Sequence, residues 1–375
     1  MIINNAKVYR NGHFESASIE FDSHIRSFSP GEGMDACGAY IIPGLIDVHT
    51  HGAMGIDASD CTAEQIHHLA QFYSDNGVTS FCFTTLTVPA DELRGAMKNI
   101  RAYERFGGEA KCTGVHLEGP FVSRGKCGAQ NPDNIRKPDI ALFNELNELS
   151  GGMVRLITVA PEVEGALDFI REASKVCTVS LGHSTADYDQ AMAGFEAGAT
   201  HVTHLFNGME PFHHRKPGLV GAALTAGANV ELICDGVHIH PAMILAVHKM
   251  FGDRLIIVSD SLRCAGLCDG RYNLGGLPMI VRDGRATLLD GTIAGSSSNL
   301  LQELRNVVSY GVPLEAAVKA MTETPAKDIG VFDSIGSLET GKCADFLVLN
   351  KDLKLMATFI DGKLVNGTTD FASVK

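Results

Sequence analysis

From about residue 45 onward, short apolar, β-branched runs alternate with longer stretches of helical periodicity. Eight runs stand out: Leu45–His49, Val78–Leu86, Cys112–Leu117, Val154–Val159, Val176–Leu181, Ala199–Leu205, Val230–Cys234 and Leu255–Val258. Helical stretches fall between them, among them Thr62–Asn76, Asp91–Arg105, Val163–Ser174, Asp187–Ala197 and Pro241–Phe251. Near-continuous apolar strands alternating with helices imply a parallel sheet buried on both faces. Eight such units predict an α/β fold closed into a (β/α)8 TIM barrel, with the open doubly wound sheet as the competing arrangement.

Residues 271–294 interrupt the alternation with a predicted hairpin, Met279-Ile280-Val281 turning at Asp283-Gly284 into Ala286–Leu289. Helices then resume at Asn299–Tyr310 and Pro313–Met321. The two ends of the chain read as short strands and turns: Lys7–Arg10 runs into Asn11-Gly12, and Ala344–Leu349 and Ala357–Ile360 precede Asp361-Gly362. Because chain termini often lie together, the ends are expected to pair into one domain. The predicted organisation is a small β-sandwich domain from residues 1–46 plus 336–375, and a barrel over 47–335 carrying the hairpin insertion.

Composition narrows the function. The 375 residues are 45% apolar, enough for a large core, and the net charge of −13 argues against nucleic acid as the main partner. A small anion remains accessible through a few local cations. The N-terminus lacks a signal peptide's apolar core, and no run of 18 apolar residues appears, so no membrane partner is expected. Ten cysteines without a metal-type Cys-x-x-Cys pair read as free thiols in a reducing, cytoplasmic setting.

In such a barrel, chemistry sits where strands end and loops begin. His49 and His51 are two residues apart, so on a strand both imidazoles point the same way and can reach one metal ion. Glu118, His183, His204 and Asp260 end later strands, and Asp235 and His238 follow the seventh. Imidazole and carboxylate suit zinc, iron or manganese. A metal lowers the pKa of a bound water to roughly 7, and a carboxylate beside that water can take its proton and deliver it to a leaving group. Asp260 is the candidate for that acid/base role.

Pro43–Gly52, His116–Phe121, Gly182-His183-Ser184, Thr203–Met209, Arg215–Gly218, Asp235–His238 and Ser259-Asp260 together resemble the N-acetylglucosamine-6-phosphate deacetylase family of the amidohydrolase superfamily. The resemblance spans almost the whole chain. It implies hydrolysis of N-acetyl-D-glucosamine 6-phosphate to D-glucosamine 6-phosphate and acetate, with hydroxide attacking the acetyl carbonyl and Asp260 acting as general base and then acid. It further implies that Glu118, His183 and His204 hold the main metal, and that His49 and His51 hold a second with Glu118 bridging. One or two divalent ions per subunit are therefore expected; some members replace the His-x-His pair and use one. Asn207, Gly208 and His238 match substrate-contacting positions, and Arg215 matches an arginine that reaches the sugar phosphate from the neighbouring subunit of a homodimer.

One departure matters. Gln130 stands where the family usually has a histidine thought to polarise the acetyl carbonyl. A Gln amide can donate a hydrogen bond but carries no charge, so it is either a weaker oxyanion donor or part of a site for a different acyl group. A cyclic amidase of the dihydroorotase type expects a lysine in the fourth strand, and Met153–Val159 has none. An adenosine-deaminase-like site expects a helix-borne Glu after the fifth strand, which His183–Ala186 does not supply. Another N-acyl sugar amidohydrolase, or a non-catalytic barrel serving as a scaffold, completes the alternatives.

Overall fold

A computed structural model describes residues 1–371; the last four residues of the expected terminal domain lie outside the described residues. Eight parallel strands, Leu45–Thr50, Val78–Thr85, Lys111–Glu118, Val154–Val159, Thr178–Leu181, His201–Val202, Asn229–Ile233 and Leu255–Val258, pair in sequence order. The eighth meets the first through residues at their C-terminal ends. The Asp260 N–H donates to the His49 carbonyl at 2.9 Å, and the His51 N–H donates to the Ser261 carbonyl at 2.8 Å. These bonds close the ring on the side where the candidate residues lie.

Several flanking helices start where side chains cap them. Thr62 and Gln65, and again Asp187 and Gln190, form reciprocal capping boxes at helices Ala63–Asp75 and Tyr188–Glu196. Each box satisfies N–H groups that a helix start would otherwise leave unpaired. The sixth strand is much shorter than the apolar run Ala199–Leu205, because the chain turns into positive φ at His204 (25°) and Phe206 (78°). The insertion is a three-stranded antiparallel sheet, Gly270–Leu274, Leu277–Arg282 and Arg285–Leu288, one strand more than the expected hairpin.

The chain ends form a separate eight-stranded sheet. Its seam is the antiparallel pairing of Tyr40–Pro43 with Phe346–Leu349. The Phe21 ring lies 4.9 Å from Phe346 and 5.4 Å from Phe359, although their strands are three and four places apart in the sheet. A flat sheet would separate neighbouring strands by about 4.8 Å each, so this sheet curls until its two halves pack face to face. Ile3, Ile19, Phe21, Ile41, Phe346 and Phe359 fill the space between them. The sheet is tied to the barrel at Lys111, whose Nζ contacts Asp345 Oδ2 at 2.7 Å and Asp361 Oδ1 at 2.6 Å. No described helix is long and apolar enough to cross a membrane.

Candidate active site

The C-terminal ends of the strands bring six buried residues around one point. His49 and His51 come from the first strand, Glu118 from the third, His183 from the turn after the fifth, His204 from the turn after the sixth, and Asp260 from the end of the eighth. Three of these residues have positive φ: His183 at 46°, His204 at 25° and Asp260 at 46°. That conformation costs energy for a side-chain-bearing residue, and such outliers gather where function demands a particular aim.

Two groups of ligand atoms converge on this point, and behind them His49, His116 and Glu231 form a third. In the first, Glu118 Oε1 lies 3.0 Å from His183 Nε2 and 3.0 Å from His204 Nε2, and the two imidazole nitrogens are 3.1 Å apart. In the second, Asp260 Oδ1 lies 3.2 Å from His51 Nε2 and 3.4 Å from His49 Nε2. Glu118 joins them, with Oε2 3.2 Å from His51 and Oε1 3.5 Å from His49. A metal with ligands at about 2.0–2.2 Å sets neighbouring ligand atoms roughly 2.8–3.6 Å apart, in tetrahedral or octahedral arrangement. Both groups fit this spacing, and His49 Nε2 is a buried nitrogen with no hydrogen-bond partner.

The far sides of two rings are held as a metal ligand requires, while His204 Nδ1 is buried without a hydrogen-bond partner. His183 Nδ1 donates to the Lys126 carbonyl at 3.0 Å, and His51 Nδ1 to the Thr84 carbonyl at 3.1 Å. Both bonds place the proton on Nδ1 and leave the Nε2 lone pair facing the site. Burial alone would raise the Glu118 pKa, but the imidazoles of His49 and His183 hold it well below the usual carboxylate range. Asp260 is likewise lowered against its burial, by His49 and His51.

A cavity of about 180 Å³ opens over this cluster, lined by Glu118, Gln130, His183, Asn207, Gly208 and Asp260 among others. Gln130 is pinned at both ends: its Oε1 accepts the Thr87 N–H at 2.7 Å and its Nε2 donates to Glu118 Oε2. The amide nitrogen therefore faces the site. Gly208 stands at φ 60°, and a Cβ there would come within 2.8 Å of His183 Nδ1, so the cradle around that ring needs glycine. His238 also lines the cavity, held between Asp235 Oδ2 at 2.8 Å and the Ala294 carbonyl at 2.7 Å.

An amidohydrolase family model matches residues 40–365. The chain belongs to the amidohydrolase family. It is 36% identical over 330 residues to the N-acetylglucosamine-6-phosphate deacetylase of Vibrio furnissii, covering 87% of this chain and 82% of that protein. It is also 36% identical over 330 residues to the N-acetylgalactosamine-6-phosphate deacetylase of Escherichia coli O157:H7, covering 87% and 88% of the two chains. Among solved structures it superposes on an aspartate-to-alanine variant of the N-acetyl-D-glucosamine-6-phosphate deacetylase of Mycobacterium smegmatis, in complex with N-acetyl-D-glucosamine-6-phosphate. The TM-score there is 0.91 at 31% identity, over 97% of this chain and 99% of that one.

In this amidohydrolase one candidate stands apart. Arg215 does not line the cavity of its own chain. It is exposed, with Nη1 2.7 Å from His214 Nε2, beside a surface pocket that also includes Asp187, Glu210 and Lys216. Sequence reasoning also missed Glu231, which is fully buried with Oε2 2.8 Å from His49 Nδ1. The available signal was a lone carboxylate inside the apolar run Val230–Cys234.

Proposed function

We propose that this amidohydrolase removes the acetyl group of N-acetyl-D-glucosamine 6-phosphate, giving D-glucosamine 6-phosphate and acetate. The observation that carries the reading is the convergence of Glu118, His183 and His204 with Asp260 at the floor of the cavity. Glu118, His183 and His204 would hold one divalent ion, and His49, His51 and Asp260, with Glu118 between, a second. When bound, the metal supplies Lewis acidity toward a water and the acetyl carbonyl.

The protein's own groups then account for the proton traffic. Asp260 presents a carboxylate oxygen at the cavity floor, where it takes a proton from the attacking water and returns it to the leaving amine nitrogen. That transfer lets the C–N bond break to a neutral amine. Gln130, its oxygen occupied by Thr87 and one N–H given to Glu118 Oε2, offers its second amide N–H to the side of the cavity where the carbonyl oxygen develops charge. Asn207, Gly208 and His238 border the space for the sugar. Arg215, beside His213, His214 and Lys216, is the phosphate anchor of a neighbouring subunit in a cytoplasmic homodimer; its position outside its own cavity supports this.

The test is acetate release from N-acetylglucosamine, N-acetylgalactosamine and their 6-phosphates, with metal content measured on the same sample. The reading expects metal-dependent acetate release from N-acetylglucosamine 6-phosphate, with little from either unphosphorylated sugar. No acetate from either phosphorylated sugar by metal-loaded protein would overturn it.

A further inference from the structure

Behind the site stands a carboxylate outside the two ligand groups at the cavity, clustered with His49 and His116. Glu231 is fully buried in the middle of strand Asn229–Ile233, where an ionised side chain is costly unless it is paired. Its Oε2 lies 2.8 Å from His49 Nδ1 and accepts the backbone N–H of His204 at 3.1 Å. Its backbone carbonyl accepts the N–H of Leu205 at 2.8 Å. One residue thus holds a ring from one ligand group and the turn that carries a ring of the other. A neutral imidazole has a single N–H, and an acceptor against Nδ1 draws the proton there. The Nε2 lone pair of His49 is left facing Glu118 Oε1 at 3.5 Å and Asp260 Oδ1 at 3.4 Å.

We propose that Glu231 is a positioning residue that fixes the Nε2-ligating form of His49 and anchors the turn bearing His204, coupling the two metal positions. The proposal rests on the metal-hydrolase reading of the site. Its test uses Zn²⁺ uptake by stripped protein, titrated in competition with a chromogenic chelator. In Glu231→Gln the amide oxygen still accepts both N–H groups, so the fold and the His204 turn persist while the charge behind His49 is lost. A carboxylate partner also raises the basicity of the ligating ring, and disturbing such an outer partner typically lowers metal affinity about 10–100-fold. That loss is expected at the weaker Zn²⁺ site, with the tighter site nearly unchanged.

Glu231→Leu, which removes both acceptors, should weaken both sites. In a His49→Ala background, Glu231→Gln should change Zn²⁺ uptake no further, since its effect runs through that ring. Thermal unfolding of the stripped variants checks the fold. Should Glu231→Gln fail to fold, Glu231→Asp, which keeps the charge but withdraws the acceptor by one methylene from both His49 and the His204 turn, takes its place, with weakened uptake expected at both sites. Wild-type affinities in the replacement, an undiminished effect without His49, or uptake of only one Zn²⁺ per wild-type chain would each overturn the proposal. Failure of the deacetylase reading is seen separately, as absence of acetate release by the Zn²⁺-loaded wild type.

Discussion

An Asp260→Asn substitution should leave the protein folded and metal-loaded but almost inactive. The backbone at this position is held at φ 46°, with its N–H on the His49 carbonyl at 2.9 Å and its carbonyl accepting the Ser296 N–H at 2.7 Å. Asn tolerates this left-handed conformation about as well as Asp, whereas Ala would add roughly 1–2 kcal/mol of strain. The Asn amide oxygen can keep the place of Oδ1, 3.2 Å from His51 Nε2 and 3.4 Å from His49 Nε2. What disappears is the ability to take and return a proton. Loss of a positioned acid/base costs about 10²–10⁴-fold in rate, or roughly 2.7–5.5 kcal/mol on the barrier. The assay is steady-state acetate release from N-acetylglucosamine 6-phosphate, with metal content and calorimetric substrate binding on the same preparation. Turnover within tenfold of wild type would remove Asp260 from the mechanism.

Four further outcomes are expected. Glu118→Ala and His204→Ala should lose the main metal and activity together, with His49→Ala milder; equal losses in all three, by elemental analysis and rate, would place the working metal on the first-strand pair. Gln130→Leu should lower kcat about 10²–10³-fold by deleting an oxyanion donor, while Gln130→His, which offers a ring N–H, should keep or raise it; a large loss in both with metal intact means another role. Lys111→Met strips the cation from Asp345, whose side chain is 3% exposed, and should cost about 3–5 kcal/mol in denaturant unfolding. Burial already raises the Asp345 pKa against the pull of Lys111, so the deficit should shrink as the pH falls and the unpaired carboxyl takes a proton. Arg215→Ala should cost about 1.5–3 kcal/mol on the phosphorylated sugar and little on the free sugar, and mixed dimers with Asp260→Asn subunits should regain activity if the arginine serves the neighbouring site.

The parts of this molecule legible in the sequence are those governed by local periodicity. His49 and His51 announce themselves because a strand aims residues two apart in one direction, and the other ligand candidates sit at ends of apolar runs. The helix Ala63–Asp75 is bounded by Thr62 and Asn76, and both are readable caps. The helix Gly218–Ala226 was not legible, because it is buried along most of its length and shows no polar face to set a period. The strand Gly270–Leu274 was missed because its sequence, GRYNL, carries too many polar residues to read as one. Glu231 acquires meaning only once the barrel closes, since it meets His49 across 182 residues of chain. The aim of Gln130 depends in the same way on the Thr87 N–H that captures its oxygen.

A single titration tests the metal dependence of the reaction most directly. Protein stripped of metal is given Zn²⁺ in increments, and acetate release from N-acetylglucosamine 6-phosphate is recorded at each step. Negligible release is expected without metal, with a rise on adding Zn²⁺ and a plateau by two equivalents per chain. Full activity in the stripped protein, or none at any loading, would contradict the metal-hydrolase reading.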